Sequence, residues 1–147
     1  MKTNKHIRIA IVSSSFRKNV SAALLRNCIT TLKKRGVPDS HVDVYKVPGS
    51  MEIPLTLKKL AKKRIYDALI AFGAIVKGKT YHFEQIANEC ARGCMDVSLA
   101  YEIPVIFEVL AVYDAHDALE RATRKKENKG VEAAESALAM IRLISKL

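Results

Sequence analysis

Hydrophobic positions along this chain fall into two kinds of segment that alternate. Short β-rich runs at Arg8-Ile9-Ala10-Ile11-Val12, Val42-Asp43-Val44-Tyr45-Lys46-Val47, Leu69 to Val76 and Pro104 to Leu110 predict four strands. Between them, apolar residues recur at helical spacing. Leu24, Leu25, Cys28, Ile29 and Leu32 predict a first helix that stops at Gly36. Pro54 fits only the first turn of a second helix, whose apolar face reads as Leu55, Leu57, Leu60 and Ala61. A long third helix is expected from about Thr80 to Ala100. Two more close the chain, one near Ala115–Ala122 and one from about Gly130 to Ser145. The third strand is apolar throughout, which marks it as central and buried on both faces.

Strands alternating with helices imply βαβ units, a parallel sheet and right-handed crossovers. The expected fold is α/β: a single domain over residues 1–147, built as a three-layer αβα sandwich on a four-stranded parallel sheet of flavodoxin-like order 2-1-3-4. No composition break marks a linker. In such a sheet ligands meet the carboxyl ends of the strands. Those ends carry Ser13–Arg17, Val47–Glu52, Gly73–His82 and Leu110–Asp114. The third of them holds the most chemistry. An apolar strand runs out through Gly73 and Gly78 into Lys79, Thr80 and His82 just before a helix. A helix N-terminus attracts anions, and a histidine moves protons near neutral pH. The plain alternative is a connecting turn with Thr80 as its N-cap.

Composition narrows the classes. With 147 residues, of which 49% are hydrophobic, the chain buries a real core and is not globally disordered. No apolar run approaches the ~20 residues of a membrane span. Met1 to His6 is charged but lacks a following apolar region and cleavage site, so no signal peptide is expected. Three cysteines argue against a disulfide framework and suit the cytoplasm. The formal charge of +10 raises nucleic-acid binding and steering of a phosphorylated substrate. Its cations are spread over Lys33–Arg35, Lys58-Lys59, Lys62–Arg64 and Arg124–Lys126, mostly assigned to last helical turns, where the macrodipole favours them. No aromatic–basic interleaving accompanies them, so neither nucleic acid nor membrane is an expected partner.

Several side chains remain as candidates. Phe16 puts an aromatic ring at a ligand-facing strand end, where a flat heterocycle would stack or the ring would fold back onto the sheet. Glu52, in Val47-Pro48-Gly49-Ser50-Met51-Glu52-Ile53-Pro54, is placed to accept hydrogen bonds from a polyol or to serve the helix dipole. Arg121 precedes a basic loop and has the fork that grips phosphate. Cys90 and Cys94 share a helix face without a zinc-ligand set and read as core. His6, His41 and His116 have no supporting polar cluster and read as surface. Dinucleotide and Walker A glycine motifs are absent, which counts against those ligands.

Four motifs then fall into register. Val47 to Pro54, Gly73-Ala74-Ile75-Val76-Lys77-Gly78-Lys79-Thr80-Tyr81-His82, Pro104-Val105-Ile106-Phe107, and Glu120-Arg121-Ala122 with Asn128-Lys129-Gly130 occur in an order and spacing that resembles the 6,7-dimethyl-8-ribityllumazine synthase family of riboflavin biosynthesis. The likeness runs through essentially the whole chain from Ile7. It implies a transferase that condenses 5-amino-6-(D-ribitylamino)uracil with 3,4-dihydroxy-2-butanone 4-phosphate, giving the lumazine, phosphate and water. No metal or organic cofactor is implied. A non-catalytic flavin- or lumazine-binding module on the same fold is the alternative.

Carried over by motif, Phe16 would stack on the pyrimidine, while Ser50, Met51, Glu52, Ala74, Ile75 and Val76 would bind the ribityl chain and nearby ring atoms. Lys79 and Thr80 would hold the phosphate, and His82 would transfer protons. Phe107, Arg121 and Lys129 would come from an adjacent subunit, because the resemblance implies a homo-oligomer with sites at subunit interfaces. The chain also departs from the family pattern. Ser15-Phe16-Arg17 stands for Arg-Phe-Asn or Arg-Trp-Asn, Met51 for an aromatic residue or leucine, Glu108 for glycine and Ala111-Val112 for a threonine pair. Thr123-Arg124-Lys125-Lys126-Glu127 replaces a Gly-Thr-Lys-Ala-Gly loop associated with sixty-subunit shells, which favours a free pentamer.

Overall fold

A computed structural model describes residues 3–147; Met1 and Lys2, part of the N-terminal segment weighed above as a leader, lie outside it. Strands β1 (Ile9–Ser14), β2 (Val42–Val47), β3 (Ala68–Val76) and β4 (Val105–Val112) pair in parallel in the order β2-β1-β3-β4. Helices α1 (Lys18–Lys34), α2 (Ile53–Ala61), α3 (His82–Tyr101), α4 (Ala115–Thr123) and α5 (Lys129–Ile144) cover both faces. The sheet order and layering are those expected.

Side-chain alternation divides the core in two. Ile9, Ile11, Ile70 and Phe72 point toward α1, α4 and α5, where they meet Leu24, Leu32, Ala118, Ala133 and Leu138. Ala10, Val12, Leu69 and Ala71 point the other way, onto Ile53, Leu57 and Leu60 of α2 and Cys90, Cys94 and Val97 of α3. The central strands are therefore apolar on both faces, and all of β3 except Val76 is buried.

Local signals set the ends of the elements. Gly36 at φ +91° lets its N–H reach Lys33 O at 3.0 Å and the Val37 N–H reach Leu32 O at 3.0 Å, a Schellman closure of α1. Asn128 caps α5 by accepting from the Gly130 and Val131 amides at 3.0 and 3.1 Å. Its amide donates back to the Ala122 and Arg124 carbonyls, which ties α5 to the end of α4. A Cβ on Gly130 would sit 2.5 Å from Leu24 O, so only glycine allows α5 to approach α1 this closely.

Four expectations need correction. Leu55 is 65% exposed, and the buried stripe of α2 is Ile53, Leu57, Leu60 and Ala61. Because α2 starts at Ile53, a residue two positions on points away from that stripe. Of the basic runs, Lys33, Lys34, Lys58 and Lys59 do lie in last turns, but Lys62–Arg64 and Arg124–Lys126 lie beyond the ends of α2 and α4. His41 is half-buried, with Nδ1 3.2 Å from Ile7 O, whereas His6 and His116 are exposed. Finally, α3 begins at His82, two residues later than expected, with Tyr81 at the cap position.

Candidate active site

The carboxyl ends of β1 and β3 meet the turn after β2 around a cavity of about 430 Å³. Close packing sets its floor. A Cβ on Gly73 would lie 3.0 Å from Ser50 Oγ, 3.3 Å from Ser14 Cβ and 3.4 Å from Val109, so the glycine lets the turn after β2 settle against β3. Phe16, Ser50, Met51, Glu52, Ala74, Ile75, Val76, Thr80 and His82 all line this cavity. Nine of the thirteen candidate residues, taken from three separate stretches of sequence, are thus brought together.

Each wall has a physical origin. Phe16 is 66% exposed, so its ring has not folded back onto the sheet. Arg17 adopts φ 58° and ψ 52°, and its guanidinium carbon sits 5.8 Å from the Phe16 ring centroid. The left-handed backbone turns the chain from β1 into α1, and a non-glycine residue adopts it at a cost. Glu52 is exposed at the start of α2, and its carboxylate passes over Gly49, where a Cβ would lie 3.0 Å from Oε2.

The loop that leads into α3 is pinned at its near end. The Lys77 N–H donates to Val112 O at 2.9 Å, its ammonium pairs with Glu84 at 3.3 Å, and the same ammonium lies 5.5 Å from the Tyr113 ring centroid. Beyond it, Gly78, Lys79 and Thr80 are exposed. Thr80 Oγ1 lies 3.4 Å from the His82 N–H and closes the first turn loosely. His82 is exposed, and among the described residues its ring makes no hydrogen bond. An imidazole without a fixed partner, beside a helix start, can pass a proton to or from a bound molecule. Among the described residues no group of three or more His, Cys, Asp or Glu is placed to hold a metal ion. A model of the family described as 6,7-dimethyl-8-ribityllumazine synthase matches residues 6–145.

The chain belongs to the lumazine synthase family. Two of the four motifs, Val47–Pro54 and Gly73–His82, meet at its cavity; the other two do not reach it. Lys79 lies on the same exposed loop but does not line the cavity. Phe107, Arg121 and Lys129 lie elsewhere in the chain. Phe107, on edge strand β4, is 38% exposed and pairs in register with Ala71. Arg121 donates to Asp117 O at 3.0 Å, and Lys129 pairs with Glu132 at 2.7 Å.

Five further lining residues were not singled out as site residues from sequence: Arg17, Gly49, Gly78, Phe83 and Ile86. Phe83 and Ile86 fell within the expected third helix, and only their closeness to His82 on the first turns of α3 pointed to the cavity. Glu108, another departure from the family pattern, faces the start of α5. Burial pushes its carboxyl up to about 7, with Lys129 opposing the rise and Glu132 adding to it. All three cysteines are free and buried. Among the described residues no helix is long and apolar enough to cross a membrane.

Proposed function

We propose that this chain is a working 6,7-dimethyl-8-ribityllumazine synthase of the cytoplasm, joining 5-amino-6-(D-ribitylamino)uracil to 3,4-dihydroxy-2-butanone 4-phosphate with release of phosphate and water. The observation that carries this reading is the single cavity that gathers Phe16, Ser50–Glu52, Ala74–Val76, Thr80 and His82 in a chain matched to the family over residues 6–145. Each wall suits one part of the substrates. The Phe16 ring takes the flat pyrimidine by stacking. Ser50 and Glu52 offer hydroxyl and carboxylate groups to a polyol. Lys79 and Thr80 meet the phosphate at the start of α3, where unpaired amides and the helix dipole favour an anion.

The substrate amine is itself the nucleophile, so no activated serine or cysteine is required. The protein's work is to hold two small molecules in register and to move protons during imine formation and phosphate loss, the latter through His82. Phe107, Arg121 and Lys129 complete the site from the adjacent subunit of a homopentamer, and Arg121 stabilises the departing phosphate's charge. A sixty-subunit shell is the larger alternative.

One observation favours a second reading, a lumazine- or flavin-binding module without turnover. Arg17 already occupies space beside the Phe16 ring, where the family pattern has asparagine. Incubating the protein with both substrates and no cofactor, while following lumazine fluorescence, separates the readings. Steady product formation is expected. Tight binding of the pyrimidine with no product would establish the second reading.

A further inference from the structure

Register places Ser13 of β1 beside Lys46 of β2, so both side chains leave the sheet on one face. It is the α1 face, because Ile9 and Ile11 on the same side of β1 pack against Leu24 and Cys28. Along α1, Lys18, Ser21, Ala22, Leu25, Arg26 and Ile29 recur at three- and four-residue spacing and form one stripe. The two rows enclose a groove of about 290 Å³. It lies across the sheet from the α2 and α3 layer that holds the active-site cavity. Only the loop between β1 and α1 is shared: Phe16 and Arg17 line the cavity, whereas Ser15 and Lys18 line the groove.

The lining has one-sided chemistry. Lys18, Arg26 and Lys46 contribute three cations and no acidic residue joins them. Among the described residues, none of the three forms an ion pair. Like charges gathered without a carboxylate raise the local potential and attract an anion. Hydroxyls stand among them. Ser13 is 3% exposed, and Ser21, also 3% exposed, keeps an Oγ with no hydrogen-bond partner among the described residues. A buried hydroxyl left unpaired costs free energy that a ligand oxygen would recover. Arg26 adds the planar fork that suits phosphate. Ala22, Leu25 and Ile29 supply an apolar wall that a bare ion would not use. The volume is near the lower end for ligand pockets, so the occupant is small.

We propose that this groove is a second ligand site, separate from the active site, and that it takes a small phosphate monoester. The phosphate lies among Lys18, Arg26, Lys46 and the serine hydroxyls, and the organic part lies against Leu25 and Ile29.

Methyl NMR on protein labelled at isoleucine and leucine tests this, with phenyl phosphate and inorganic phosphate titrated separately. Leu25 and Ile29 report the groove, while Ile75 and Ile86 report the active-site cavity. Phenyl phosphate is expected to shift Leu25 and Ile29 saturably with a Kd of about 1 mM or below. The double variant Arg26→Ala, Lys46→Ala should weaken that binding by about tenfold or more, with the Ile75 and Ile86 responses unchanged. Those unchanged signals also establish that the variant is folded. Tighter binding of the ester than of inorganic phosphate supports the ester assignment, and equal affinities overturn it in favour of the free ion. No saturable shift at Leu25 and Ile29, or the same affinity in the double variant, overturns the site itself. Shifts confined to Ile75 and Ile86 would put the ester in the active-site cavity and likewise overturn the groove, while leaving the active-site reading intact.

Discussion

His82 and Arg17 both line the cavity and pose opposite questions. The imidazole of His82 is exposed and makes no hydrogen bond among the described residues, so it is free to exchange a proton with substrate. In the proposed reaction the attacking amine needs little activation, which limits what a proton carrier can add. His82→Ala should therefore lower kcat by about 10²-fold or less, with the pH profile flattened. An unchanged pH profile in steady-state assays would remove His82 from the chemistry. Arg17 holds a left-handed backbone that asparagine adopts more readily. Arg17→Asn should raise the unfolding free energy by about 1 kcal/mol in denaturant titrations and also free the Phe16 ring for stacking. A drop in stability would mean that the guanidinium contact outweighs the backbone strain.

The elements were legible in sequence to different depths. Strand existence and the burial of β3 followed from apolar runs and alternation, because both faces of a central parallel strand must be covered, whereas the order 2-1-3-4 came from likeness to flavodoxin-like sheets. The face of α2 was misread at Leu55, since the start of a nine-residue helix decides which positions share its stripe. Phe83 and Ile86 were missed because core and ligand wall make the same demand for apolar side chains. Gly73, Gly130 and Asn128 were visible as motif residues, but the close approaches and double cap that require them were not.

The junction of β4 with α5 carries a consequence of its own. Glu108 has its pKa raised from 4.5 to about 7 in the folded chain, chiefly by burial. Between those values the folded state binds the proton that the unfolded state has released, so stability falls as pH rises through this window and levels off above it. Glu108→Gln should abolish that fall and gain about 1–2 kcal/mol above neutral pH, with little change below about pH 4, as denaturation at several pH values would read. A parallel pH dependence in both proteins would contradict this assignment.

At the scale of the whole molecule, one chain gathers nine of the thirteen candidate residues and leaves four outside the cavity. The residues proposed to bind the pyrimidine and the ribityl chain share one cavity, but Phe107, Arg121 and Lys129 are not among its lining. The family resemblance supplied the reason for expecting them from a neighbour; periodicity and charge within one chain carry no signal of what a second chain contributes. Arg121→Ala should raise the KM for the phosphorylated ketone far more than that for the pyrimidine. Equal increases for both substrates would make Arg121 structural, in line with its contact to the Asp117 carbonyl within α4.

The most direct measurement is the stoichiometry of turnover by the purified protein, with lumazine and inorganic phosphate quantified together from the two substrates in the absence of any cofactor. Lumazine and phosphate should appear in equal amounts over many turnovers, and Phe16→Ala should slow both together. Phosphate without lumazine, or no product despite saturating binding of the pyrimidine, would contradict the assignment of this cavity as a lumazine synthase active site.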